Sequence, residues 1–307
     1  MLKKTDYDFI VIGAGAAGLT AAQYGARSGL STLVIDLSDA GGQALNIFTL
    51  ENYPGVFPPI PGRDFIKNME KQAKRFGAKI IHSKVSSIDK IGQQFMLKTA
   101  DGDMTAYAIL IATGAQHRPL GVDGEKKLLG KGVSYCATCD GAFFRKKTVA
   151  VVGGGDVALE DAIFLSRFAE KVYIIHRRDE FRGAKVLQDQ LLSNEKIEPI
   201  YDTVVDEVVG KMAVEKLILS NKKTGEKSEL PVQGVFMAVG IVPNLDGIEG
   251  LPDRDEGGYI IAGESCETSI PGVFAAGDVR TKQLRQVITA AADGANAITS
   301  VERYFNS

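Results

Sequence analysis

Asp8-Phe9-Ile10-Val11-Ile12-Gly13-Ala14-Gly15-Ala16-Ala17-Gly18 decides how the chain is read. Phe9 to Ile12 form an uninterrupted apolar run, suited to a strand buried on both faces of a parallel sheet. Gly13, Gly15 and Gly18 then fall at G-x-G-x-x-G spacing. In that pattern the first glycine permits a tight turn, the second lets backbone approach a pyrophosphate, and the third lets a helix pack closely on the strand. The alanine-rich stretch to about Ser28 reads as that helix, and its N-terminal N–H groups and dipole favour phosphate. Thr32-Leu33-Val34-Ile35 reads as the next strand, and Asp36 closes it where a carboxylate can accept from ribose hydroxyls. The whole is one dinucleotide-binding unit.

The unit recurs about 140 residues later. Thr148-Val149-Ala150-Val151-Val152 reads as a strand, and Gly153, Gly155 and Ala158 repeat the glycine template around Gly154, Asp156 and Val157. A helix follows, then the strand Val172-Tyr173-Ile174-Ile175. Here the closing acid is missing. His176, Arg177 and Arg178 stand in its place, with Arg182 four residues beyond. A carboxylate would repel a 2′-phosphate and arginines would bind it, so this second site reads as one for NADPH rather than NADH. Two similar strand ends, Ile109 to Gly114 and Val235 to Gly240, suggest that the second domain is inserted into the first. The run from Gly272 to Asp278 then returns to complete the first domain. The expected fold is α/β, with two Rossmann-like dinucleotide-binding domains: 1–116 with 247–307, and 117–246.

Composition narrows the classes. The chain has 307 residues and 34 glycines, and 36 Lys+Arg against 38 Asp+Glu leave a net charge of −2. That balance argues against a broadly basic nucleic-acid binder. The uncharged run from Phe9 to Ala26 resembles a membrane or signal segment in length, but Asp6 and Asp8 precede it and four glycines interrupt it. No membrane association and a cytoplasmic location are expected.

Three cysteines are too few for a disulfide-stapled scaffold. Cys136-Ala137-Thr138-Cys139 is a C-x-x-C pair, a spacing that closes a small disulfide ring and often lowers one thiol's pKa. A zinc site needs four ligands. Cys266 and the isolated His82, His117 and His176 do not supply the rest, so no metal is expected. A redox-active pair is the remaining reading. Asp140, beside Cys139, has two readings: an acid–base group for thiol chemistry, or a turn residue before Gly141. Cys266 reads as structural or incidental.

The motifs GAGAAG, GGQ, ENYPG, ATGA, CATCDG, GGGD, HRRDEFR, AAGD and RQ follow one another in one order across nearly the whole chain. That order resembles the low-molecular-weight thioredoxin reductases, which are FAD-containing disulfide reductases. The resemblance implies FAD in the discontinuous domain and NADPH in the inserted one. By position, Gly13, Gly15, Ala16, Gly18 and Asp36 would hold the FAD pyrophosphate and ribose. Gly42, Gln43 and Asn52 would line the flavin side, with Thr113 and Gly114 of ATGA. Gly277 and Asp278 of AAGD would meet the ribityl chain, and Arg285, Gln286 and Val287 the ring. NADPH would fall to Gly153, Gly155, Asp156, Val157, His176, Arg177, Arg178 and Arg182. Cys139 would lie nearest the flavin, and Cys136 would exchange with the disulfide of a thioredoxin or thioredoxin-like protein. Asp140 would complete the catalytic set. A homodimer is implied as well.

The chain departs from the family at Ala44 to Thr49, where a threonine run is frequent, and at Val157 and Asp161. Alkyl hydroperoxide reductase flavoproteins carry an extra N-terminal module, whereas residue 8 here already begins a strand. Ferredoxin–NADP reductases of this fold lack the C-x-x-C pair, and dithiol oxidases would not need the arginines. A nucleotide-binding redox sensor without turnover is the alternative from another class.

Overall fold

The computed structural model describes residues 5–47, 49–248 and 252–306. It divides into two compact units, one formed by Met1–Gln116 with Val242–Ser307 and the other by His117–Ile241. The second crossing falls after Ile241, five residues before the expected boundary at 246. The reason is local: Asn244 N donates to Gly114 O at 2.9 Å, and its own carbonyl accepts from Thr113 Oγ1 at 2.5 Å. Those bonds tie Asn244 to the first unit.

The first unit begins with β1 (Tyr7–Ile12), α1 (Ala16–Arg27), β2 (Thr32–Asp36), α2 (Gly62–Arg75), β3 (Lys79–His82), β4 (Val85–Ile91), β5 (Gln94–Thr99) and β6 (Gly102–Ile111). Its sheet runs β3-β2-β1-β6-β5-β4. The β3, β2, β1 and β6 strands are mutually parallel, while β4 and β5 extend the sheet as an antiparallel hairpin. β1 is sandwiched on both faces, which is why its residues are apolar without alternation. Phe9 and Val11 point into the core that α1 shares, whereas Ile10 and Ile12 point into the opposite core with Leu33, Ile35 and Ile109.

The second unit contains β7 (Val133–Ser134), α3 (Ala137–Asp140), β8 (Thr148–Gly153), α4 (Asp156–Leu165), β9 (Lys171–Ile175), α5 (Lys185–Leu192), β10 (Ile197–Ile200), β11 (Thr203–Val209), β12 (Lys216–Asn221), β13 (Lys227–Pro231) and β14 (Gly234–Ala238). Its main sheet, β10-β9-β8-β14-β7, is wholly parallel. β8 repeats the logic of β1. Val149 and Val151 face the core shared with α4, and Ala150 and Val152 face the core shared with the antiparallel β11-β12-β13 sheet.

The tail then returns to the first unit. β15 (Val273–Ala275) pairs in parallel with the C-terminal half of β6, and α6 (Val287–Phe305) packs on α1. Glycine makes that helix pair close: a Cβ on Gly294 would stand 2.3 Å from the Ala17 carbonyl oxygen.

Candidate functional site

The first site lies at the C-terminal ends of β1 and β2, where parallel α/β sheets bind ligands. Gly13 N donates to Ile35 O at 2.8 Å and the chain turns at φ +105°. A Cβ there would lie 2.4 Å from Ala112 O, and one on Gly18 would land on the Gly13 carbonyl. Both glycines are therefore required by the turn and by the seat of α1. Gly15 is different, because a Cβ on it would meet nothing within 4 Å. Space stands open at the helix N-terminus, beside Ala16, where a pyrophosphate fits.

Asp36 is tied into this loop. Its Oδ2 accepts from Ala14 N at 2.5 Å, and its Oδ1 from Ser38 N at 3.0 Å. The carboxylate thus braces the glycine turn as well as edging the open space. Gln43, in the short helical turn Gly42–Asn46, donates through Nε2 to Ala115 O. Asn52 Nδ2 donates to Gln286 Oε1 at 3.0 Å, and Gln286 caps α6 through a reciprocal pair with Thr289. Gly42 and Gly114 face open space. Of the segment that departs from the family, Phe48 lies outside the described residues.

Two atoms mark the same face as incomplete. Asp278 Oδ1 and Arg285 Nε are buried with no hydrogen-bond partner among the described residues. Burial raises the Asp278 carboxyl, and Lys282 and Arg285 draw it back. The Arg285 guanidinium sits over the Tyr259 ring, 4.1 Å from its centroid. Covered, unmatched polar groups beside an open glycine cradle fit a large polar ligand such as FAD, which would complete their hydrogen bonds.

The sequence reading missed what holds this face in place. Asp293, on α6, accepts from Gly277 N at 2.9 Å, from Arg280 Nε at 2.9 Å and Nη2 at 2.7 Å, and from Lys282 Nζ at 2.8 Å. Burial alone would raise this carboxyl, but Arg280 and Lys282 outweigh it and hold it below the usual carboxylate range. Cys266 is buried here too, its Sγ 3.4 Å from Asp293 O, and burial pushes its thiol up to about 12. It is a core residue without thiolate character.

The second site crowns β8. Gly155 opens onto space, as Gly15 does. Arg182 N and Gly183 N both donate to Gly154 O, and Ala184 N donates to Asp156 Oδ1 at 2.6 Å. The arginine-bearing segment is thereby strapped to the glycine turn. Arg177, Arg178 and Arg182 are exposed, and no carboxylate pairs with them among the described residues. The nearby Asp179 is engaged by Lys223, which also holds Asp202. Three unpaired guanidiniums at one cradle fit a second dinucleotide with an extra phosphate. His176 stands apart from them. It is buried against Phe181, and a Cβ on Gly154 would lie 2.2 Å from its Nδ1. Its ring supports the turn from within, and burial lowers its pKa. Val157 is more than half exposed on the first turn of α4. Asp161, further along, is raised to about 7 by burial and by Glu160.

Cys136 and Cys139 are joined as a disulfide in the second unit, with Cα atoms 5.3 Å apart. Cys136 is the N-cap of α3, and its Sγ accepts from Cys139 N at 3.2 Å. Thr138 Oγ1 stands 3.4 Å from the same sulfur. Such donors favour a thiolate on Cys136 once the disulfide is reduced. Asp140 closes α3, and burial raises its carboxyl while Ser134 pulls it down. Glu125, also unsuspected from sequence, is buried and accepts from Leu120 N, Gly121 N and the Tyr135 hydroxyl, anchoring the residue before Cys136. Among the described residues, no group of three or more His, Cys, Asp and Glu side chains could hold a metal ion.

Two glycine cradles and a four-residue disulfide ring define a nucleotide-dependent disulfide oxidoreductase. The chain matches the pyridine nucleotide-disulphide oxidoreductase family over residues 7–294 and belongs to it. It is 47% identical over 304 residues to a thioredoxin reductase of Treponema pallidum, with 99% of each chain covered. It is 43% identical over 305 residues to the thioredoxin reductase of Bacillus subtilis, covering 99% of this chain and 96% of the other. The crystal structure of thioredoxin reductase from Streptococcus pyogenes superposes with a TM-score of 0.93 at 44% identity, with 98% of each chain covered.

Proposed function

We infer that this protein is an NADPH-dependent thioredoxin reductase, a reading carried by the Cys136–Cys139 disulfide in a chain that also has two separate dinucleotide cradles. FAD belongs to the cradle of Gly13, Gly15, Ala16 and Gly18, with Asp36, Gly42, Gln43, Asn52, Thr113, Gly114, Gly277, Asp278 and Arg285 to Val287 around it. NADPH belongs to Gly153, Gly155, Asp156 and Val157, with Arg177, Arg178 and Arg182 on the 2′-phosphate and His176 beneath the turn. When bound, the two cofactors supply hydride chemistry.

The chain's own part is disulfide exchange. Two electrons and a proton open the Cys136–Cys139 bond, leaving Cys136 as a thiolate held by Cys139 N–H. That thiolate attacks one sulfur of the partner's disulfide, forms a mixed disulfide and expels the other sulfur as a thiolate. Asp140 gives the departing sulfur a proton. Cys139 then gives up its proton and attacks Cys136 Sγ as a thiolate, which restores the ring and expels the partner's second sulfur, and that sulfur takes the proton and leaves as a thiol.

Thioredoxin or a thioredoxin-like protein is the partner. The protein acts in the cytoplasm, and no helix among the described residues is long and apolar enough to cross a membrane. A homodimer is supported by an apolar groove in the first unit, lined by Tyr24, Tyr53, Phe57, Phe65 and Ile288, with Phe57 almost fully exposed at its rim.

The test is NADPH-dependent reduction of candidate thioredoxins, with a glutaredoxin and a peroxiredoxin as controls. Turnover with thioredoxin, lost in Cys136→Ser and Cys139→Ser while NADPH still bleaches the yellow protein, is expected. Flavin bleaching with no turnover on any dithiol partner would favour a redox sensor and overturn the reading.

A further inference from the structure

Ser134 is the last residue of β7, and its position is fixed by pairing with Phe236 of β14. It is buried, with 4% of its surface exposed. Its hydroxyl meets three groups of the redox loop. Oγ lies 2.6 Å from Asp140 Oδ2, accepts from Cys136 N at 3.0 Å, and lies 3.3 Å from Cys136 O. A serine hydroxyl has one hydrogen to give and two lone pairs to receive with. It therefore cannot donate to Asp140 and to Cys136 O at once.

That restriction defines two arrangements around one oxygen. With Asp140 ionised, the Ser134 hydrogen points to Oδ2 in a short, charge-assisted bond. With Asp140 protonated, the acid donates to Ser134 Oγ, and the serine hydrogen turns to Cys136 O. Cys136 N–H is retained in both. The carboxyl stays bonded in either protonation state, and the backbone of the attacking cysteine stays tied to it.

We propose that Ser134 is a positioning residue for the disulfide-exchange step, whose rotating hydroxyl keeps Asp140 in register with Cys136 before and after Asp140 gives up its proton. The proposal rests on the function proposed above. As the partner's thiolate leaves, it takes the Asp140 proton, and the new carboxylate is met by the serine O–H in the same movement. The turn Gly141–Phe144 carries no titratable group, and α4, which packs on α3, brings Asp156, Glu160 and Asp161. Burial and Ser134, rather than a neighbouring charge, govern Asp140.

The experiment compares full-length holoenzyme with Ser134→Ala, Ser134→Thr and Asp140→Asn, and the double variant Ser134→Ala/Asp140→Asn. Two profiles against pH are recorded: kcat/KM for thioredoxin, and the rate at which iodoacetamide alkylates Cys136 in the reduced protein. In Ser134→Ala we expect roughly a tenfold loss of kcat/KM at neutral pH, a fraction of what acid–base catalysis supplies. The limb on which activity falls as Asp140 ionises should also move to higher pH, because the bond that favours the carboxylate is gone. Ser134→Thr should restore both. In the Asp140→Asn background, Ser134→Ala should add little, since the two act as one unit.

A Ser134→Ala profile that loses height without moving would show a merely structural serine and overturn the proposal, as would fully additive losses. If Ser134→Ala does not fold, Ser134→Cys, close in volume and a weak donor, should lie between wild type and Asp140→Asn, and parity with wild type overturns the proposal. Failure of the unmutated protein to reduce thioredoxin would instead sink the functional reading, and the alkylation profile would still report on Ser134.

Discussion

Asp293→Asn is the most revealing single substitution outside the redox loop. The wild-type carboxylate takes four hydrogen bonds, three of them from Arg280 and Lys282, and the side chains of all three residues are 10% exposed or less. Asparagine keeps the shape and one oxygen. It removes the charge, and it turns an N–H₂ toward two buried cations. Removing one side of a buried ion pair costs about 3–5 kcal/mol, because the partner is stranded without water or counter-charge. The cost should not double for two cations, since the effects of groups in one contact network do not add. Against a typical total stability of roughly 5–15 kcal/mol, this is a large fraction. With a urea slope of about 1–3 kcal/mol/M, the midpoint should fall by at least about 1 M.

The chain has no tryptophan, so far-UV circular dichroism is the suitable probe. Asp189→Asn is the control, because its i,i+4 pair with Lys185 is 63% and 77% exposed and is expected to matter by less than about 0.5 kcal/mol. Adding Lys282→Met to Asp293→Asn should recover part of the loss by removing one stranded cation. The acid side follows from the same geometry. Asp293 is held below its ordinary value of 3.8, so its contribution is present above that pH and is lost as pH falls further toward the folded value. An Asp293→Asn midpoint equal to that of Asp189→Asn would refute the reasoning.

Asp161 should behave in the opposite sense. Its carboxyl is raised from 3.8 to about 7 in the folded state, so the protein loses stability as pH rises through that window. At 1.36 kcal/mol per unit the ceiling is roughly 4 kcal/mol. Asp161→Asn should therefore match wild type below pH 4 and exceed it in melting temperature above pH 8, whereas a gain that is constant with pH would contradict the assignment. Arg177→Ala and Arg178→Ala should each raise KM for NADPH by about tenfold, the lower range for a lost charge-assisted bond, and leave KM for NADH unmoved. Unchanged discrimination between the two nucleotides would remove the arginines from the 2′-phosphate.

What the sequence shows is what adjacent elements share. The glycine spacings, the apolar runs at 9–12 and 149–152 and the C-x-x-C pair are all local. Each is built within a strand, a turn and a helix, so spacing alone recovers it. His176 marks the edge of that legibility. It directly precedes two exposed arginines, and linear reading groups it with them. His176 directly follows β9, however, and its ring is folded under Gly154 while Arg177 and Arg178 stay in solvent.

Asp293 lies beyond that edge altogether. On α6 it reads as one polar residue in an alanine-rich helix, separated by 11 and 13 positions from Lys282 and Arg280, and no period connects them. Only the return of the tail over α1, with Gly294 letting the two helices close, turns that face of α6 toward the Gly277 turn. Ser134 is hidden for a similar reason. It lies two residues from Cys136, but its hydroxyl matters because the short α3 brings Asp140 back over it. In the function proposed above, the legible residues are those that bind cofactors and carry electrons. The illegible ones are convergences of three or more elements, and they hold the legible ones at the angle their chemistry needs.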